Sequence, residues 1–195
     1  MAFEQLVFMS NYRRAKMSGG TYFFTLVTYR RQRFLCDDPL RTALRQAIYQ
    51  TQTACPFAID AWVLLPDHLH CIWTLPPDDA DFGKRWAMIK RFVSKRCGPT
   101  LLRRQWLNDS KKKRNESTIW QRRYWEHMIR DEDDFRRHID YLHFNPVKHG
   151  LVQRTEDWPF STFHRYVNDG VYSEDWGNVG EEQVEDGFGE PADTL

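Results

Sequence analysis

The stretch "FAIDAWVLLPDHLHCIWTL" constrains the fold more than any other part of the chain. Two apolar runs of strand length flank Pro66 and Asp67. Proline presets a turn conformation and aspartate favours one, so the runs read as the two arms of a β-hairpin. A lone hairpin is marginal in water, so the chain must supply further strands or helices to cover it. "GGTYFFTLVTYR" upstream reads as a strand buried on both faces, because apolar and β-branched residues follow one another without polar alternation. "TIWQRRYWEHMI" reads as another strand.

Three segments carry helical spacing. In "DDPLRTALRQAIYQTQ", Asp38 is the expected N-cap and Pro39 the first helical residue. Leu40, Ala43, Leu44, Ala47 and Ile48 form its apolar stripe. "DFGKRWAMIKRFVSKRCG" aligns Phe82, Trp86, Ile89, Val93 and Cys97, with Gly98-Pro99 as its end. "DEDDFRRHIDYLHFN" is expected to start at an Asp131 cap and to be limited by Pro146, with Phe135, Ile139 and Leu142 inward. The order strand, helix, strand, strand, helix, strand, helix gives an α+β class. It predicts a ferredoxin-like (RRM-like) βαββαβ antiparallel sheet with helices packed on one face, plus an additional C-terminal helix.

Length suits one domain: the chain has 195 residues. Residues 1–18 form a basic N-terminal segment, 19–172 the domain, and 173–195 an acidic tail expected to be disordered. Residues 103–117 are hydrophilic and strongly basic, and are expected to form a mobile loop. All 28 Lys and Arg lie before residue 173, whereas eight of the 27 acidic residues follow it. The body is therefore basic, which favours a polyanionic partner. No apolar run approaches the ~20 residues of a membrane span, and the N-terminus lacks a secretory signal pattern. Cys36, Cys55, Cys71 and Cys97 form no CxxC pair, as expected of free thiols in a reducing cytoplasm.

The candidate chemistry begins at His68 and His70. Residues i and i+2 of a strand share a face, so the two imidazoles project side by side. They make a ready pair of metal ligands. An isolated HxH is as often a pair of ordinary histidines near a turn. Tyr141 and Asn145 stand at i and i+4, with His138 one turn earlier, and are expected to face away from the hydrophobic stripe. A phenol is a plausible nucleophile and an amide oxygen an acceptable hard ligand. Asn-Pro is also a common turn signal, and eight tyrosines are present.

Taken together, "GGTYFFTLVTYR", "PDHLHCIW", "WEHMIRDEDDFRRHIDYLHFNPVKHGLV" and "DWPFSTF" resemble the REP-associated tyrosine transposases, relatives of the single-tyrosine HUH transposases. The similarity runs in order over residues 11–166. The resemblance implies His68 and His70 as metal ligands and Tyr141 as nucleophile. It places Asn145 as third ligand, where related transposases have the longer Gln. His138, His143 and His127 are alternatives for that role. It implies a divalent metal, Mg²⁺ or Mn²⁺, and cleavage and rejoining of single-stranded DNA through a 5′-phosphotyrosine. The implied partner is REP-type hairpin DNA, bound by a monomer rather than a homodimer, in the bacterial cytoplasm. Arg13, Arg14, Lys16, Arg30, Arg31, Lys90, Lys95, Arg122 and Arg123 are the expected DNA contacts, as clustered basic residues facing a polyanion. The competing expectations are a non-catalytic single-strand-binding module and a phosphodiesterase that uses water.

Overall fold

The protein is seen here as a computed structural model, in which residues 16–178 are described. Four strands, β1 (Thr21–Val27), β2 (Ala58–Leu64), β3 (His68–Thr74) and β4 (Trp125–Met128), form one antiparallel sheet in the order β2-β3-β1-β4. This is the interleaved ferredoxin-like arrangement, with β1 and β3 central. The helices are α1 (Asp38–Ala54), α2 (Phe82–Leu101), α3 (Asp109–Lys113), α4 (Glu132–Lys148) and α5 (Phe163–Asn168).

Both sheet faces are covered, which explains the unbroken apolar reading of β1. Tyr22, Phe24 and Leu26 turn to one core with Leu69, Cys71 and Trp73, beneath α1 and α2. Phe23 turns the other way and meets Ile72, Ala61 and Val63 beneath α4. The additional helix thus takes the face that α1 and α2 leave open. After α4 the chain covers the free edge of β2, where Leu64 N–H donates to Phe160 O and Thr162 N–H to Trp62 O. Packing continues past residue 172, since Trp176 lies 4.4 Å from Tyr172 between ring centroids. The rest of the acidic tail lies outside the described residues.

Several boundaries differ from the sequence expectations. Asp37, not Asp38, occupies the N-cap of α1, without a side-chain cap bond. α2 runs through Gly98-Pro99 to Leu101, and α4 runs through Pro146 to Lys148. A proline this near a helix end removes one N–H bond with little of the helix left to disrupt, so helical backbone continues past it. The strand expected over residues 118–129 is confined to Trp125–Met128, with a single bridge from Thr28 to Trp120. The basic insert is folded. Asn108 caps α3, and Lys111 is buried with its Nζ 4.1 Å from the centroid of the Tyr29 ring. Burying its stem and satisfying its charge on a ring face order a segment that composition alone marks as loop.

Trp86 is fully buried and stacks on Trp73 at 4.0 Å. Trp86→Ala is expected to cost about 3–5 kcal/mol in denaturant unfolding. A loss under 1 kcal/mol would show that this core is not what holds α2 on the sheet.

Candidate active site

β3 carries His68 and His70 on the face toward α4, opposite Val27 and Thr25 of β1. Their rings lie 5.0 Å apart at 81°. His68 Nδ1 is 2.8 Å from Asp67 Oδ1, and His70 Nδ1 is 2.9 Å from Thr25 Oγ1. An ionised carboxylate only accepts, so the His68 Nδ1 facing Asp67 bears a proton and Nε2 is the ring atom turned toward a ligand. The Thr25 hydroxyl can hold His70 in the same tautomer. Both Nε2 atoms are buried. Burial drives the His70 pKa well below the usual histidine value, helped by His68, His149 and Lys148, so the ring is neutral. Burial raises the Asp67 carboxyl, but hydrogen bonds and charge from His68 and Arg31 outweigh it and bring the pKa down to about 2.

α4 supplies the other half. Asp131 caps it by accepting from Asp134 N–H at 2.8 Å. Tyr141 and Asn145 do not face away from the apolar side as expected. Tyr141 is 2% exposed and Asn145 fully buried, and Tyr141 shares a core with Ile139 and Leu142. The reason is that the sheet-facing side of α4 is wider than one stripe and takes in Tyr141 beside Ile139 and Leu142, while the segment after α4 covers a further side at His143. The Tyr141 ring lies 5.4 Å from His70 and 6.1 Å from Phe23. The Asn145 amide approaches His70 closely enough to favour its protonated form, though no bond of good geometry joins them.

These residues fit a divalent ion. His70 Nε2 and both Asn145 amide atoms are buried without a hydrogen-bond partner in the protein. Such atoms gathered at one place, with donors suited to a cation among them, are ones a bound ion would satisfy. Two imidazole nitrogens and an amide oxygen leave coordination positions for a phosphate oxygen and water.

The alternative ligands go elsewhere. His127, Asp134 and His138 place ligand atoms within 4.8 Å of one another. Yet the two rings stack at 4.5 Å and 13°, so one ion cannot lie in both ring planes without a ring turning. Asp134 instead accepts from His127 Nε2 at 2.9 Å and from Arg130 N and Nε at 3.1 and 3.0 Å. His138 Nδ1 meets Asp134 O at 2.7 Å. This hub ties β4 to the start of α4. His143 points into the α5 cluster, 2.9 Å from Thr162 Oγ1 and 5.0 Å from the Tyr166 ring, where burial lowers its pKa to about 3.

Two residues at the site escaped the sequence reading. Lys148 Nζ lies 4.9 Å from the centroid of the Tyr141 ring, and the His149 ring lies 5.0 Å from His68. The signal is "PVKHG", masked because a proline at 146 marks a helix end by local rule. His149 also lines a cleft of about 120 Å³ with His68, Asp67, Arg31 and Arg33. Arg30 and Arg31 both have positive φ, 58° and 47°. That backbone is strained by about 1–3 kcal/mol per residue and turns Arg31 onto Asp67 at 3.2 Å, at the cleft wall.

The other expected DNA contacts are dispersed. Arg30 is exposed beside Trp106, and Lys16, Lys95, Arg122 and Arg123 are exposed. Arg122 pairs with Glu116 at 2.7 Å. Lys90 donates to Gln121 O at 3.0 Å and, like Lys95, belongs to α2 on the opposite side of the sheet from α4. Arg13 and Arg14 lie outside the described residues.

Asp67 has a depressed pKa in the folded chain, so it stabilises the fold above the unfolded carboxylate value near 4. That contribution is lost as pH falls toward 2. Asp67→Asn is expected to lower stability at neutral pH and to flatten the decline between about pH 4 and 2, read by thermal unfolding across pH. An unchanged acid limb would show that His68 and Arg31 do not hold this carboxylate.

Residues 16–143 match the sequence family described as "Transposase IS200 like". The chain is 46% identical over 168 residues to the REP-associated tyrosine transposase of Escherichia coli K12, covering 86% of this chain and 91% of that one. It is 44% identical over 173 residues to a putative REP-associated tyrosine transposase of Haemophilus influenzae, covering 87% and 94%. A solved structure of a REP-associated tyrosine transposase bound to a REP hairpin superimposes with a TM-score of 0.76 at 45% identity, covering 94% of this chain and 98% of that one. No helix among the described residues is long and apolar enough to cross a membrane. With Tyr141 brought against a same-face histidine pair on a ferredoxin-like sheet, the chain belongs to the IS200-like transposase family, in its REP-associated tyrosine transposase group.

Proposed function

We propose that this chain cleaves and rejoins single-stranded DNA at REP-type hairpins through a covalent bond between Tyr141 and a 5′-phosphate. The observation that carries it is the packing of the Tyr141 ring 5.4 Å from His70, with Asn145 one helical turn further on. His68, His70 and Asn145 would hold Mg²⁺ or Mn²⁺. Bound there, the ion would polarise the scissile phosphate as a Lewis acid.

The protein's own groups account for the remaining requirements. Tyr141 is fixed between Phe23 and His70, so its oxygen is presented in one orientation. Its attack on phosphorus forms the phosphotyrosyl bond and breaks the P–O3′ bond, and the proton given up by the phenol is balanced by one taken up, through solvent, by the leaving 3′-oxygen, which departs as a hydroxyl. Because the phosphoester bond is exchanged and not hydrolysed, a 3′-hydroxyl can reverse the step and join strands. Lys148, over the Tyr141 ring, offers positive charge to the phosphate or the phenolate as it forms. Arg31 and Arg33 line the cleft and would contact flanking phosphates. Hairpin recognition is supported by the relative bound to a REP hairpin at 45% identity. The nucleophile and the histidine pair belong to one chain, so a monomer acting in cis is sufficient. Such an enzyme would work on chromosomal DNA in the bacterial cytoplasm.

Three outcomes test this. With labelled hairpin DNA and Mn²⁺, the native protein is expected to form an adduct that survives denaturant, and Tyr141→Phe none. A Tyr141→Phe adduct would remove Tyr141 as nucleophile, and product without any adduct would favour attack by water. Lys148→Gln is expected to slow adduct formation roughly 100-fold. Mixing Tyr141→Phe with a His70→Ala protein should restore no activity, whereas restoration would show that tyrosine and histidines act from different copies.

A further inference from the structure

A pocket of about 330 Å³ opens between α1 and the outer strand β2, and no step above uses it. Its apolar wall is Ile48, Ile59, Trp62 and Phe160, with Arg41 and Arg45 at its rim. The Arg41 guanidinium lies 4.4 Å from the centroid of the Phe160 ring and pairs with Asp38. Its Nε is buried without an acceptor, and Arg45 is exposed. Trp62 is partly buried, and among the described residues no ring stacks on it. The sequence reading singled out neither arginine.

We propose that this pocket binds one unpaired nucleobase of the DNA strand that passes through the active-site cleft. The proposal rests on the function given above, and adds a recognition subsite to it. Its chemistry suits that ligand. Flat aromatic side chains offer a stacking surface for a base of any sequence, and guanidinium groups match phosphate. An acidic peptide would use the arginines but leave the aromatic wall without a flat partner.

Its location suits the same strand. Leu64 lines the pocket, and its neighbour Leu65 lines the cleft that holds His68 and His149. Successive strand residues face opposite ways, so the two hollows lie on either side of one turn of the hairpin. Cys36 lies at this turn, with its Sγ 3.7 Å from Leu64 O and both arginines (Arg33, Arg41) and carboxylates (Asp37, Asp67) around it. Arg31 and Arg33 stand at the cleft and Arg41 and Arg45 at the pocket. Arg31 is paired to Asp67 and Arg41 to Asp38, so Arg33 and Arg45 are the arginines on either side of the turn with no ion pair among the described residues. A single strand rounding the end of β2 would meet positive charge along its path, with one base turned into the pocket.

The experiment walks a single abasic residue along the unpaired flanks of a labelled REP-type hairpin and measures binding by fluorescence anisotropy. Adduct formation on the intact hairpin is measured in parallel. One position is expected at which losing the base weakens binding about tenfold. In Trp62→Leu, intact DNA should bind correspondingly more weakly and the abasic penalty at that position should fall below twofold, whereas Arg45→Gln should weaken binding of intact and abasic DNA alike, about threefold or more. Arg45 is exposed, so the second variant tests the idea even if loss of Trp62 disturbs folding. If no position is sensitive, if the penalty persists unchanged in a folded Trp62→Leu, or if Arg45→Gln binds intact DNA as the native protein does, the subsite is wrong, while adduct formation by the native protein would leave the cleavage function standing. If neither adduct nor hairpin binding is found, both fail together.

Discussion

Everything at the candidate site depends on α4 being held against the β1–β3 face of the sheet. The contact is chiefly apolar. Ile139, Leu142 and the Tyr141 ring cover Phe23, Ile72, Val63 and Ala61. At about 1.5–3 kcal/mol for each large side chain removed from water, this packing is the largest favourable contribution available there. The helix is also fastened near its start, where Asp134 gathers His127, Arg130 and His138. Beyond its last turn, Leu151 N–H donates to Pro146 O at 2.9 Å. With both ends tied, the helical repeat sets Tyr141, Asn145 and Lys148 on one side, at the histidine pair.

That arrangement carries a cost that the apolar contacts offset. His70 is enclosed and neutral, and the Asn145 amide is buried with neither oxygen nor nitrogen satisfied. A core built for stability alone would place apolar residues at both positions. Phe23 lies between this region and the Asp134 hub, at 5.4 Å from His70 and 5.0 Å from His138. Two histidine groups on one sheet face therefore have different jobs. The hub ties β4 to the start of α4, whereas the pair is held through its Nδ1 atoms by Asp67 and Thr25 and its Nε2 atoms are the proposed ion ligands.

Much of this was legible in the sequence because it follows from short periods. The two-residue repeat of a strand put His68 and His70 on one face, and the interleaved sheet followed from element order. The i, i+4 spacing joined Tyr141 to Asn145. What periodicity could not supply was the direction in which that pair points, since the stripe of Phe135, Ile139 and Leu142 looked sufficient for burial. The sheet face under α4 buries Tyr141 against Phe23 and His70, and the segment that follows α4 buries His143 on another side of the helix, which spacing alone does not reveal. Pro146 misled in a similar way. It ends a helix by local rule, and here the last turn passes through it and delivers Lys148 and His149. Lys111 shows the same limit, because a charge run reads as solvated until a ring such as Tyr29 is found beneath it. The family resemblance supplied roles that spacing left open, above all which of eight tyrosines to choose.

The central claim is that α4 completes an ion site with β3, and that the neighbouring hub is not one. Mn²⁺ binding, followed by electron paramagnetic resonance on the native protein and single variants, tests it most directly. Native protein is expected to bind one ion. His70→Ala and Asn145→Ala should each weaken that binding at least tenfold, whereas His127→Ala should leave it within about twofold, in keeping with the 10–100-fold losses typical when a ligand or its support is removed. Binding that survives loss of His70 and Asn145 but disappears with His127 would contradict the account.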